Sequence, residues 1–239
     1  MTSFVFGQVA ALDGYSGAQQ AVPHCANHRQ VDPPGNLNII AKVNALMRVG
    51  AILVVCTGNV CRSPYIERRL RDALNVTGIT LSSAGIAALE GLDMEPEVAG
   101  LLRQHGASAE GFSARMLTAD MVADADLVLA AAREHRGAAA RLHPAALRKA
   151  LTLRDLADLL QGVSPQDVAD AGAPGSWVSQ VVAVASSRRP IVVARQEGVD
   201  LVDPIGQPSR VFRRMADEAE DALRVIVPVL SAVPAQTGG

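Results

Sequence analysis

Cys56 and Arg62 bracket a short loop, CTGNVCR, that follows the apolar run Ala51–Val55 and precedes Ser63-Pro64. The apolar run reads as a strand. Ser63 and Pro64 read as the N-cap and first position of a helix. A tight loop closing onto a helix N-terminus aims several backbone N–H groups at one point, a setting for a tetrahedral oxyanion. Arg62 adds a planar fork of donors that holds two oxygens at once. Gly58 is open to backbone angles closed to other residues. Asn59 is suited to a left-handed conformation, with its side chain tying the loop down. The positive field of such a loop favours the thiolate of a cysteine set in it, and a thiolate is a strong nucleophile. Ser63 is placed to donate a hydrogen bond to Cys56. The constellation suits attack on phosphorus in a bound phosphate ester, or on arsenic in arsenate. A Cys and an Arg at this spacing recur by chance. The preceding strand, the internal Gly-Asn and the Ser-Pro helix start are what give the reading its weight.

The rest of the chain must position that loop. After the helix opened by Ser63, with Ile66, Leu70 and Leu74 on one face and Gly78 as its end, Ile79–Ser83 reads as a second strand closed by Gly85. A helix is expected over Pro96–His105, stopped by Gly106, and a helical turn over Thr118–Ala123. A third strand is expected over Asp126–Ala131, then helical pieces punctuated by Gly137 and Pro144. A fourth strand lies near Ala150–Leu153, with Thr152 capping the next helix and Asp155 three residues on. Residues 162–175 read as a loop rich in Gly, Pro and Asp. Ser176–Ser186 reads as an apolar helix, residues 200–209 as a turn-rich loop, and Ser209–Leu230 as a long final helix. Alternation of this kind predicts βαβ units and a parallel α/β sheet covered on both faces. Ligands of such sheets bind beyond the carboxyl ends of the strands, where the winding reverses. Cys56 falls just past the carboxyl end of the first strand.

Composition sets the bounds. The 239 residues carry a formal net charge of −2, which argues against a nucleic-acid partner. The arginines at 68, 69 and 71 read as a solvated helix face. Three cysteines are too few and too odd for a disulfide scaffold and fit a reducing, cytoplasmic setting. No run reaches the ~18 apolar residues of a membrane span, so no membrane partner is expected. Residues 1–46 read as a disordered extension, 47–230 as the folded domain with Met47 as its natural start, and 231–239 as a flexible tail. The stretch HCANH, with Cys25 between His24 and His28, does not supply four well-spaced zinc ligands. No metal or other cofactor is expected. Neither a Walker loop nor GxGxxG is present.

CTGNVCRSP resembles the signature of the low-molecular-weight protein tyrosine phosphatase family, whose fold is shared by a class of arsenate reductases. SSAGIAAL at 82–89, FSARMLTADMVADADLVLAA at 112–131 and VDPIG at 202–206 follow in the family's order. The resemblance runs roughly from Arg48 to Leu230. It implies a flavodoxin-like, doubly wound, four-stranded parallel sheet with helices on both faces. Carried over by position, it implies Cys56 as nucleophile. It implies phosphate binding by the backbone from Thr57 through Gly58, Asn59, Val60 and Cys61 to Arg62, together with the Arg62 side chain, and loop support from Asn59 and Ser63. Asp203, in an Asp-Pro pair, is implied as general acid. Chemistry asks for such a group independently, since the leaving oxygen needs a proton. Asp200 is the nearby competitor, but only Asp203 precedes Pro. Cys61 is similar to a second cysteine that in some members pairs with the nucleophile on oxidation.

The chain departs from the pattern around the substrate. Ile205 and Gly206 follow the Asp-Pro pair, and Ala87 and Ala88 stand where relatives often carry aromatics. Phe112-Ser113 replaces a His before Ala114-Arg115. The implied activity is hydrolysis of a phosphomonoester, on a phosphorylated protein or a smaller ester, through a phosphocysteine intermediate. The alternative is an arsenate reductase that borrows an external thiol, because no cysteine follows Cys61.

Overall fold

A computed structural model of the 239-residue chain describes residues 49–75 and 77–233. The expectations for residues 1–46, HCANH and Met47 lie outside the described residues, as does most of the 231–239 tail. Four strands form one parallel sheet: β1 (Ala51–Cys56), β2 (Thr80–Gly85), β3 (Leu127–Ala130) and β4 (Ala150–Thr152), in the order β2-β1-β3-β4. The register sets Cys56 beside Gly85 and Val55 beside Ala130. The helices are α1 (Arg62–Ala73), α2 (Pro96–Gln104), α3 (Ala119–Asp124), α4 (Arg133–Leu142), α5 (Leu153–Leu160), α6 (Pro165–Asp170), α7 (Trp177–Ser187) and α8 (Ser209–Ser231). A 3₁₀ turn at Pro144–Arg148 joins α4 to β4.

The two central strands, β1 and β3, are apolar throughout because both faces of the sheet are covered there, whereas the edge strand β2 carries Thr80, Ser82 and Ser83. Alternate residues of β1 divide between two cores. Ile52 and Val54 pack with Ile66 and Leu70 of α1 and with Met215, Ala219 and Ile226 of α8. Leu53 and Val55 pack with Val122 of α3 and Ala139 of α4. The period of two in a strand makes this division unavoidable. Each large aliphatic side chain so buried contributes on the order of 1.5–3 kcal/mol. This is the doubly wound, flavodoxin-like arrangement that the resemblance implies. From β1 the chain winds outward to β2, then returns past β1 to β3. The reversal opens a crevice beyond the carboxyl ends of β1 and β3, and Cys56 ends β1 there.

Several local expectations need correction. Helix α1 begins at Arg62, with Cys61 in the N-cap position. Ser63 is therefore inside the first turn, and its hydroxyl is engaged elsewhere. The arginines of α1 are not a free solvated face. Arg69 forks onto Glu220 of α8 at 2.6 and 3.1 Å, beside Tyr65, whose hydroxyl donates to the same carboxylate at 2.9 Å. Arg71 pairs with Glu67, and Arg68 lies over the Phe112 ring at 5.8 Å. The Arg69 and Tyr65 contacts pin α1 to α8, and Arg68 joins it to the loop after α2. The 162–175 stretch is not all loop, because Ser164 and Asp167 form a reciprocal capping box that starts α6. Gly137 lies within α4 rather than interrupting it. Thr152 caps α5 by accepting from the Asp155 N–H, as read from the sequence.

Candidate active site

The loop between β1 and α1 is held from outside through its carbonyl groups. Cys56 and Thr57 carbonyls accept from the N–H groups of Ile86 and Ala87, both at 2.9 Å, and Val60 accepts from Glu95 at 3.0 Å. Cys61 accepts from Tyr65 at 3.1 Å, opening α1. In a planar trans peptide the N–H lies opposite the carbonyl, so the N–H groups of Thr57, Gly58, Cys61 and Arg62 point away from those outer partners. Among the described residues, those of Gly58, Val60, Cys61 and Arg62 are not spent on a backbone carbonyl. They line up with the N-terminal end of α1, where the helix dipole adds positive potential.

Asn59 is the hub. It is fully buried and stands at φ 54°, the only non-glycine residue of positive φ among those described. Its Nδ2 donates to Ser63 Oγ and to Ser83 Oγ, each at 2.9 Å. Its Oδ1 accepts from the Arg115 N–H at 2.9 Å, and its own N–H points at Cys56 Sγ at 3.3 Å. Ser63 Oγ lies 2.9 Å from the same sulfur. Beyond Ser83 the chain of contacts reaches Glu67, which accepts from Ser83 Oγ at 2.5 Å and is itself buried. Ser83 and Glu67 were not read from the sequence. Each looks like an ordinary strand or helix residue until the fold brings β2 and α1 together.

Gly58 does not carry the conformation expected of it. The left-handed residue is Asn59, and a Cβ on Gly58 would meet only Val60 at 3.6 Å. The glycine that the loop cannot do without is Gly85, on the neighbouring strand. A Cβ there would lie 2.4 Å from the Thr57 carbonyl oxygen and 2.8 Å from the Asn59 nitrogen. Close backbone approach, not loop flexibility, is the reason for glycine.

Arg62 is buried, and its guanidinium reaches Asp203 Oδ2 at 2.5 Å and Thr57 Oγ1 at 3.2 Å. The loop bearing Asp203 is tied to the sheet through the Leu201 N–H, which donates to the Ala131 carbonyl at 2.9 Å. The Asp203 carboxylate is half exposed. Asp200 is occupied elsewhere. It accepts from the Arg133 N–H at 2.7 Å and from its guanidinium at 3.0 Å, which holds its carboxyl below the ordinary range against the opposing effect of burial. Geometry thus separates the two aspartates: Asp203 faces Arg62, and Asp200 anchors α4.

Cys56, Thr57, Gly58, Val60, Cys61, Arg62 and Asp203 border one cavity of about 250 Å³. Its outer wall is aliphatic: Ala87, Leu89, Leu92 and Ile205. Leu89 is 69% exposed, so the rim is open and apolar. Tyr65, Trp177 and Phe212 are buried in the core instead. Cys61 is buried too, and burial, with Glu95 and then Cys56 adding, pushes its thiol well up. That leaves Cys56, with two donors near its sulfur, as the nucleophile candidate. His135, the fifth residue after β3 and fully buried, was also missed by sequence reading. Its Nε2 lies 3.0 Å from Thr57 Oγ1. A lone His on a helix carries no sequence signal that would pick it out.

The sequence profile of the low molecular weight phosphotyrosine protein phosphatases matches residues 51–171. The chain belongs to this family. Among curated members, Etp of Escherichia coli K12, a low molecular weight protein-tyrosine-phosphatase, is 44% identical over 91 residues. That match covers 38% of this chain and 60% of Etp, so the chain spans about three-fifths of the length of that relative. AmsI of Erwinia amylovora, a probable low molecular weight protein-tyrosine-phosphatase, is 38% identical over 103 residues, covering 43% of this chain and 70% of AmsI. In three dimensions the crystal structure of Erwinia amylovora AmsI superposes with a TM-score of 0.53 at 26% identity, covering 78% of this chain and 94% of AmsI. The YwlE arginine phosphatase from Geobacillus stearothermophilus superposes with a TM-score of 0.55 at 26% identity, covering 77% and 94%. Phosphatase-family membership and the crevice at the end of β1 thus coincide on the same loop.

Proposed function

We propose that the chain is a cysteine-dependent phosphomonoester hydrolase of the low molecular weight protein tyrosine phosphatase type. The observation that carries this reading is the convergence of Cys56, Arg62 and Asp203 on one cavity floored by inward-facing loop amides. The phosphoryl oxygens of a substrate take the N–H groups between Thr57 and Arg62, and the Arg62 fork takes two of them. Cys56 Sγ then attacks phosphorus in line, forming the S–P bond as the P–O bond to the leaving group breaks. Asp203, released from Arg62 when that guanidinium turns to the phosphate, takes up a proton from solvent and gives it to the departing oxygen. In the second half, the Asp203 carboxylate takes a proton from water. That water attacks phosphorus, and the thiolate and inorganic phosphate are released. Ser63 and Asn59 stabilise the departing thiolate through the contacts already made.

The same loop would hold arsenate. Asp203 at the cavity mouth supports the hydrolase instead, since reduction of arsenate has no alcohol or phenol to protonate. The family relatives above are phosphatases by name. The substrate is a phosphorylated protein or a smaller phosphate ester, and the aliphatic rim would grip it without aromatic stacking. No helix among the described residues is long and apolar enough to cross a membrane. A reducing cytoplasmic setting suits a free-thiol nucleophile.

The test is hydrolysis of phenyl phosphate and of arsenate with a thiol donor, side by side. Cys56→Ser is expected to abolish phosphate release. Asp203→Asn is expected to lower kcat by roughly 10²–10⁴, with a smaller loss for a para-nitrophenyl leaving group that needs less protonation. Full activity in Cys56→Ser would remove the mechanism.

A further inference from the structure

His135 is buried, and no step above uses it. Burial, and after it the charge of Arg62, lowers its pKa to about 4, so the ring is neutral at ordinary pH. A neutral imidazole has one N–H, on either nitrogen. Two observations put it on Nε2. Glu134 Oε1 lies 3.3 Å from Nε2 without hydrogen-bonding to it, and a carboxylate oxygen there would repel a bare Nε2 lone pair. Nδ1 is buried without a partner among the described residues. A buried N–H with nothing to donate to is rarer and costlier than a buried bare acceptor. Nε2 therefore donates across the 3.0 Å contact to Thr57 Oγ1.

The consequence falls on Thr57. A hydroxyl has two lone pairs and one proton. Arg62 donates to Thr57 Oγ1 at 3.2 Å, and His135 takes the second lone pair. Only the O–H is left to be used, and Thr57 borders the cavity. We propose that His135 is a positioning residue that turns the Thr57 hydroxyl proton into the cavity, making that side chain a further donor to a bound phosphate oxygen. The opposite tautomer would spend that proton on the imidazole and leave the anion one donor poorer. The inference rests on the phosphate-binding reading of the loop and extends it from the backbone to one side-chain hydroxyl.

The experiment measures binding of inorganic phosphate by calorimetry, without turnover, and kcat/KM for phenyl phosphate on the same full-length proteins. Thr57→Val removes the hydroxyl and keeps the shape, while Thr57→Ser keeps the hydroxyl. His135→Phe removes the donor, and His135→Gln supplies an N–H near Nε2. Loss of one hydrogen bond to a charged group predicts roughly ten- to hundredfold weaker phosphate binding in Thr57→Val and His135→Phe. Thr57→Ser and His135→Gln should recover most of it. His135→Phe should cost nothing further in the Thr57→Val background, since both act through one proton. Wild-type affinity in Thr57→Val, equal affinity in the Gln and Phe variants, or additive losses would each overturn the assignment. Thr57→Val at a partly exposed position keeps the test open should His135→Phe fold poorly. A wild type that binds phosphate in this pattern but hydrolyses no ester overturns the hydrolase reading alone.

Discussion

Replacing Asn59 with Ala should damage stability and catalysis together, by separable amounts. The side chain accepts from the Arg115 N–H and donates to Ser63 and Ser83, all at 2.9 Å. Alanine leaves the Arg115 N–H without its acceptor, which costs about 1–3 kcal/mol at a buried site. The two serine contacts add roughly 0.5–1.5 kcal/mol each. The backbone at φ 54° is tolerated by Asn but strains Ala by about 1 kcal/mol or more. The sum, roughly 3–7 kcal/mol, is a large share of the 5–15 kcal/mol that hold a typical domain together. Asn59→Gly loses the same hydrogen bonds but not the backbone term, so it should be about 1 kcal/mol more stable than Asn59→Ala. Urea unfolding of the three proteins reads both quantities. Catalysis should fall in both variants by about ten- to hundredfold in kcat, because Ser63 loses the donor that orients it on Cys56 and each tenfold is ~1.4 kcal/mol. Equal stability of the Gly and Ala variants would show that the left-handed backbone is unstrained. Wild-type kcat in either would show that the loop is held without Asn59.

Two other outcomes follow from the same geometry. Gly85→Ala should cost about 1–3 kcal/mol of overpacking, since its Cβ meets loop backbone at 2.4 and 2.8 Å. Gly58→Ala, whose nearest contact is 3.6 Å, should unfold thermally close to wild type, so a melting pair decides which glycine the loop needs. His135 should make folding pH-dependent. Its folded pKa of about 4 lies below the ordinary 6.5, so the unfolded chain binds the extra proton between those values. Stability is full above about pH 6.5 and is lost as pH falls toward 4, by about 3 kcal/mol at 1.36 kcal/mol per tenfold. Arg62, Asp203, Asp200 and Glu134 also face this ring, so the comparison is with His135→Gln, which should lack that part of the acid slope in urea titrations. Identical slopes would place the proton elsewhere.

Much of the fold is legible along the chain because its signals are local. The apolar runs at 51–55 and 127–130 are strands for want of any polar face. Ile66, Leu70 and Leu74 mark one side of α1, and Thr152 with Asp155 marks the start of α5. The loop from Cys56 to Arg62 announces its chemistry in the same way, through residue types held within seven consecutive positions. What failed locally failed for physical reasons. Ser63 has the composition of an N-cap, yet its hydroxyl is better used on a buried thiol and on Asn59, and the helix begins earlier. The arginines of α1 look solvated until α8 brings Glu220 to Arg69.

By itself the sequence determined the alternation of strands and helices, the anion loop, and the presence of an Asp-Pro pair far downstream. Only the tertiary structure decided which groups meet. It set Asp203 on Arg62 and gave Asp200 to Arg133. It moved the essential glycine from the loop to Gly85 on the adjacent strand, and it brought His135, across the crevice from β3, to Thr57. Those pairings join residues on different strands and helices. Their geometry is fixed by parallel register and by the reversal of winding between β1 and β3, which no local spacing encodes.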